Sequence, residues 1–234
     1  MKENFYQNFL KLVSANKKLL AILIDPDKFD STQTESFLKK IPSETTHIFV
    51  GGSTVTNGDT ERVVVKLKEE TKLPIFLFPG SYSQISPKAD ALLFLSLLSG
   101  RNAEYLIGQQ VKSISRLKNS PLEIIPTGYI LIDGGNTSSV SKVTQTVPMS
   151  QNDVQSIVNT ALAGQYMGAK LIYLEAGSGA KYPVKPEIIS EVKDVISIPL
   201  IVGGGIKSAS QKHETYQAGA DMIVMGTAYE QELT

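Results

Sequence analysis

The chain has 234 residues, 41% of them hydrophobic and 20% charged, a balance that builds a sizeable buried core and excludes a disordered tail. Its 23 basic and 23 acidic side chains cancel, so the overall charge gives no attraction to nucleic acid. Without cysteine, disulfides, thiolate zinc sites and a cysteine nucleophile are excluded, and two histidines do not make a metal site without further ligands.

In chain order, the first apolar run is LLAILID (19–25). It is shorter than a signal-peptide core and passes straight into Asp25-Pro-Asp27, so it reads as a strand. No run approaches the roughly 18 to 20 apolar residues that span a bilayer. A cytoplasmic protein with no transmembrane segment is expected. Periodicity then predicts a helix over 31–40, the strand THIFVGG (46–52), a helix over 59–71 and the strands PIFLFPG (74–80) and ALLFLSLL (91–98). A helix over 103–117, the strand IIPTGYILID (124–133) and a Gly, Ser and Thr-rich functional loop over 134–149 follow. The last third reads helix 150–167, strand LIYLEAG (171–177), helix 186–195, strand PLIVGGG (199–205), helix 208–218 and strand DMIVMGT (221–227).

Ser150 to Asp153 resembles a capping box, and Gly168 and Gly219 sit where a helix end needs a left-handed residue. His47 enters a strand and His213 a helical pattern, so both are assigned packing or surface roles. The eight runs are hydrophobic almost throughout, as in parallel strands covered on both faces. YMGAKLIYLEAG (166–177) and YQAGADMIVMGT (216–227) echo one another, as successive βα units would. The prediction is an α/β fold, a modified (β/α)8 TIM barrel forming one domain over 1–234. One connection departs from the rule: SYSQISPKAD (81–90) is too short, with Pro87 in it, for a crossover helix. The third helix is therefore expected to be missing or replaced by extended chain.

In such barrels the active site forms at the C-terminal strand ends. Those ends carry Asp25-Pro-Asp27-Lys28, Gly51-Gly52-Ser53-Thr54, Glu175-Ala176-Gly177-Ser178-Gly179, Gly203-Gly204-Gly205 and Gly226-Thr227. Glycines in the adjacent seventh and eighth loops favour a phosphate site, because bare backbone N–H groups approach an anion closely, over two tight turns. Asp25, Asp27 and Ser53 are hard oxygen donors suited to Mg2+, though Asp-Pro-Asp is also ordinary turn chemistry and spacing does not separate the two. Glu175 closes an apolar strand, where an unpaired carboxylate adds no stability. It marks a working charge or, alternatively, a structural salt bridge.

Together LIDPDK (23–28), VGGS (50–53), the 74–102 stretch, GYILIDGG (128–135), IYLEAGSGA (172–180), IVGGGIKS (201–208) and MGTA (225–228) resemble the PcrB-like family, the geranylgeranylglyceryl and heptaprenylglyceryl phosphate synthases. The resemblance implies a barrel lacking its third helix that joins a hydroxyl of sn-glycerol 1-phosphate to a polyprenyl diphosphate, most closely geranylgeranyl diphosphate, and releases diphosphate with Mg2+. It assigns Asp25 and Ser53 to the metal, and Tyr173, Leu174, Glu175, Ala176, Gly177, Ser178, Gly179, Gly204, Gly205, Gly226 and Thr227 to glycerol phosphate, with Glu175 catalytic. It also implies a homo-oligomer, and the balanced charge leads to the expectation of no nucleic-acid partner. Two rivals stand beside it: a metal-independent sugar-phosphate isomerase or lyase using Asp25 and Glu175, and a phosphate-ligand binding module without catalysis.

Overall fold

The computed structural model describes residues 4–55 and 59–226. Eight strands are β1 (Leu19–Ile24), β2 (His47–Val50), β3 (Ile75–Leu77), β4 (Ala91–Leu97), β5 (Glu123–Leu131), β6 (Leu171–Glu175), β7 (Leu200–Gly203) and β8 (Met222–Met225). They pair in sequence order, all parallel, and β8 closes onto β1 with Leu19 opposite Met222. The helices are α1 (Phe5–Ser14), α2 (Thr34–Lys40), α3 (Asp59–Glu70), α4 (Gln109–Leu117), α5 (Ser139–Thr144), α6 (Val154–Tyr166), α7 (Pro186–Val195) and α8 (Ala209–Gln217).

Both strand faces are buried, and alternation sorts residues between two cores rather than between core and water. Leu20, Ile22, Ile48, Ile130, Leu174 and Val202 point out under the helices. Leu19, Ala21, Phe49, Phe76, Tyr129 and Tyr173 point in and fill the barrel. By the same period of two, Asp25 continues the inward row of β1 and Glu175 that of β6.

No helix joins β3 to β4; residues 78–90 run as turns and extended chain, as their length requires. Asp90 anchors the far end, accepting from the Ile75 N–H at 2.8 Å and from Lys68 Nζ at 2.8 Å. Gly168 and Gly219 adopt φ of +98° and +114°, the left-handed conformation expected after α6 and α8.

Four local features differ from the sequence reading. Residues 150–153 form a turn, and Asp153 caps α6 by accepting from the Ser156 N–H; the capping box is Ser208 with Gln211, at α8. The predicted helix over 103–117 begins as a π-helical turn (Glu104–Gly108), and the 134–149 loop contains α5. The fourth is α1, which closes the N-terminal floor of the barrel. Its Phe5 N–H donates to Glu123 Oε2 at 2.6 Å, and the Tyr6 hydroxyl donates to the Lys170 carbonyl at 3.0 Å. Phe9 is 1% exposed, with its ring 5.8 Å from that of His47. His47 is thus a packing residue, and burial pushes its imidazole down to about 4, so it sits neutral among aromatic rings.

Candidate active site

At the opposite end the strands open into a cavity of about 750 Å³. One wall is polar, made by Glu175, Ser178, Gly179, Gly204 and Gly205. The other is largely apolar and runs past Phe78, Leu95, Tyr129 and Val143, on the side where the third helix is absent.

Glu175 is 6% exposed and aimed into the barrel mouth. Its Oε1 accepts from the Gly177 N–H at 2.7 Å. Burial outweighs that bond and the nearby Tyr173 hydroxyl, and raises the carboxyl from 4.5 to about 7. Burial first, then the Glu175 charge, holds the Tyr129 and Tyr173 phenols well above their ordinary range, so both are neutral donors. The Tyr173 hydroxyl is buried without a hydrogen bond of normal geometry to any described residue. Such a group is costly unless something completes it. Phe78 stacks on Tyr173 with centroids 5.1 Å apart, and Tyr129 meets both rings edge-on at 5.8 and 5.4 Å.

Gly204 has φ +82°, and a Cβ there would lie 2.4 Å from Glu175 Oε1 and 2.6 Å from the Gly177 nitrogen. Only glycine lets the β7 loop pass over the β6 loop so closely. Across the mouth, a Cβ on Gly51 would fall 1.8 Å from the Phe78 carbonyl oxygen, so the β2 and β3 loops also touch backbone to backbone. Gln84 ties them, its Oε1 accepting from the Gly80 N–H at 3.1 Å and from the Gly52 N–H at 3.5 Å.

Asp25 and Ser53 line the cavity beside this contact. Asp25 Oδ2 pairs with Lys28 Nζ at 3.0 Å, and its Oδ1 accepts from the Asp27 N–H at 3.2 Å. Among the described residues no three His, Cys, Asp or Glu gather as a closed metal cage. Asp25 and Ser53 bring one carboxylate and one hydroxyl to the cavity edge, a donor set of the kind Mg2+ uses when it keeps waters and shares substrate phosphate oxygens. Asp27 and Thr54 border the same space.

Residues 13–233 match the model of the PcrB family. The chain belongs to the PcrB family. Among relatives, the geranylgeranylglyceryl phosphate synthase of the bacterium Zunongwangia profunda is 54% identical over 221 residues, covering 94% of each chain. That of Pyrococcus abyssi is 43% identical, covering 93% of this chain and 86% of its own. The crystal structure of (S)-3-O-geranylgeranylglyceryl phosphate synthase from Thermoplasma acidophilum in complex with sn-glycerol-1-phosphate superposes with TM-score 0.89 at 36% identity, covering 98% of this chain and 92% of that one.

Of the PcrB-family site residues named from sequence, Asp25, Ser53, Tyr173, Glu175, Ser178, Gly179, Gly204, Gly205 and Gly226 all border the cavity. Leu174 and Ala176 do not: both side chains lie in the outer core, 0% and 1% exposed. Alternation along β6 already turns Leu174 away from Tyr173 and Glu175, and that signal was available in the sequence. Gly177 gives its N–H to Glu175 rather than to the open space. Thr227 lies outside the described residues. The aromatic wall of Phe78 and Tyr129 and the cavity-lining Lys207 were missed. Both tyrosine and phenylalanine sat inside apolar runs that read simply as core.

Proposed function

We propose that this chain transfers a geranylgeranyl group from its diphosphate to a hydroxyl of sn-glycerol 1-phosphate, with Mg2+ held by Asp25 and Ser53. The observation that carries the reading is the two-walled cavity: a polar glycine-rich side with one buried carboxylate, continuous with an apolar side whose lining suits an isoprenoid tail. The names of the relatives in bacteria and archaea, and the glycerol phosphate bound in the Thermoplasma acidophilum enzyme, support it.

In this scheme Gly204 and Gly205 cradle the phosphate with backbone N–H groups, and the orphan Tyr173 hydroxyl hydrogen-bonds the glycerol. Glu175, poised near neutrality, accepts the hydroxyl proton as the oxygen bonds carbon one of the prenyl chain. The bond from carbon one to the diphosphate oxygen breaks, its electron pair leaves with diphosphate, and Glu175 returns the proton to solvent. Mg2+, when bound, supplies positive charge to the departing diphosphate. Lys28 adds a fixed positive charge beside Asp25. Tyr129 and Phe78 shape the wall against which carbon one and the first isoprene unit rest.

Incubation with labelled sn-glycerol 1-phosphate, Mg2+ and prenyl diphosphates of several lengths tests the proposal. Butanol-extractable label that needs both Mg2+ and prenyl diphosphate is expected, greatest with the geranylgeranyl chain. Metal-independent conversion of a sugar phosphate, or glycerol phosphate binding without transfer, would overturn it.

A further inference from the structure

Gln151 lies on no strand or helix, yet it is only 9% exposed and its amide is engaged at both ends. Nε2 donates to the Asp133 carbonyl at 2.7 Å and to the Pro183 carbonyl at 3.2 Å, and Oε1 accepts from the Lys185 N–H at 2.8 Å. Every partner is a backbone group of another segment. Asp133 follows β5, whereas Pro183 and Lys185 belong to the loop from β6 to α7, so one side chain joins two strand-end loops. Met149 delivers it there. Running beside the end of β5, Met149 accepts from the Asp133 N–H and donates its own N–H to the Leu131 carbonyl, both at 2.9 Å.

The β6 loop held in this way is the one that carries Ser178 and Gly179 to the cavity. Its return limb, residues 181–185, passes between two glycines. On one side the Lys181 and Tyr182 N–H groups donate to the Gly134 carbonyl at 2.8 and 3.1 Å. On the other, a Cβ on Gly205 would lie 2.9 Å from the Pro183 nitrogen and 3.0 Å from the Tyr182 carbonyl oxygen. The β7 loop therefore rests against the limb, and a shift of the limb passes to Gly205 by direct backbone contact. Glu175 is held by the barrel instead. Its carbonyl accepts from the Ile132 N–H at 2.8 Å and its backbone pairs with Gly203 across the sheet, so the base stays where it is when the limb moves.

We propose that Gln151 is a positioning residue for glycerol phosphate, setting where Ser178 and Gly179 of the β6 loop and Gly204 and Gly205 of the β7 loop meet the ligand. Gln151 itself does not border the cavity. The proposal rests on the prenyl-transfer reading for the identity of the ligand, and goes beyond it in making affinity for that ligand depend on an amide outside the site.

Gln151→Met keeps the bulk and removes the hydrogen bonds, leaving an N–H and two carbonyls that are costly until the limb moves them toward water. Val184, 1% exposed in the outer core, still anchors the limb, so the variant should fold, as circular dichroism will show. Calorimetry with sn-glycerol 1-phosphate should give a Kd raised about 10- to 100-fold, the scale expected of a displacement of about 1 Å. KM for glycerol phosphate should rise in step, while kcat at saturating glycerol phosphate and KM for geranylgeranyl diphosphate stay near wild type. Gln151→Glu keeps an acceptor for Lys185 but sets an oxygen against the two carbonyls, and should weaken binding to a similar degree. Unchanged affinity in folded Gln151→Met would reduce the residue to a space-filler and overturn the proposal. Equal rises in both KM values, or a fall in kcat alone, would overturn it too, the first as general damage and the second as action on the chemistry. If neither variant folds, Gln151 is a structural residue and the proposal fails. Binding needs no prenyl transfer, so a wild type that binds glycerol phosphate without turnover sinks the prenyl-transfer reading and leaves the Gln151 comparison standing. A wild type that does not bind it sinks both.

Discussion

The two ends of the barrel bury His47 at the floor and Glu175 at the mouth, and treat them in opposite ways. At the floor α1 brings Phe9 over the histidine, which lies against Phe76 as well and keeps its Nδ1 2.9 Å from the Thr46 hydroxyl, and burial removes its charge across the neutral range. At the mouth the Gly177 N–H, the orphan Tyr173 hydroxyl and an open cavity surround the carboxylate, which is left close to half-ionised at neutral pH. Desolvation acts at both ends. What differs is whether the surroundings are closed by the chain's own apolar side chains or left for a ligand to complete, and that difference separates a structural residue from a reactive one.

The comparison is broken most severely by Glu175→Gln, which keeps the shape of the mouth and removes its charge. Turnover should fall by about 100 to 10,000-fold, while glycerol phosphate affinity, measured by calorimetry, changes far less. Near-wild-type turnover with an unchanged pH profile would reject the base role. In the wild type, kcat should rise with pH through about 7, as Glu175 loses its proton. At the floor the matching change is Phe9→Ala. Removing a ring that is 1% exposed should cost about 3 to 5 kcal/mol of unfolding free energy in denaturant titrations, with turnover of the surviving folded enzyme within a few-fold of wild type. A large loss of kcat in the folded protein would show that the floor and mouth are not independent.

Gly204→Ala comes next. At φ +82° with Glu175 Oε1 only 2.4 Å from the new methyl, the substitution should cost about 1 to 3 kcal/mol in stability and displace the carboxylate. Since the same loop is assigned to phosphate, KM for glycerol phosphate should rise together with the fall in kcat. Unaltered KM would remove this loop from the phosphate site.

The mouth was the more legible end. Strand-end glycines, a carboxylate at the end of an apolar run and the ten-residue 81–90 connection are all positions where a sequence departs from what packing alone asks, and each stood out for that reason. The eight strands were visible because burial on both faces makes each a continuous apolar run. The floor was nearly silent. FYQNFLKLVS, the sequence of α1, has the period of any amphipathic helix, and nothing local says that its partner is the inside of a barrel rather than the outside. The side chains of Leu174 and Ala176 pack in the outer core, because the period of two turns only every second side chain of the motif toward the cavity.

The smallest effect tests the comparison itself, because the two groups oppose one another in pH-dependent stability. Glu175 holds its proton more tightly folded, at about 7, than at its ordinary 4.5, so its contribution is full below about 4.5 and is lost as pH rises through about 7. His47 binds its proton less tightly folded, at about 4, than at its ordinary 6.5, so its contribution is full above about 6.5 and is lost as pH falls toward about 4. Between about 4.5 and 6.5 the folded state holds one extra proton at the mouth and lacks one at the floor, and the two slopes cancel. Denaturant titrations across that window should therefore find Glu175→Gln gaining stability with rising pH relative to wild type, by about 1 kcal/mol per pH unit. His47→Phe, which keeps a ring beside Phe9 and Phe76, should show the reverse slope relative to wild type. If Glu175→Gln instead runs parallel to wild type, the carboxylate titrates as an ordinary exposed group, and the distinction between a closed floor and a poised mouth fails at its more important end.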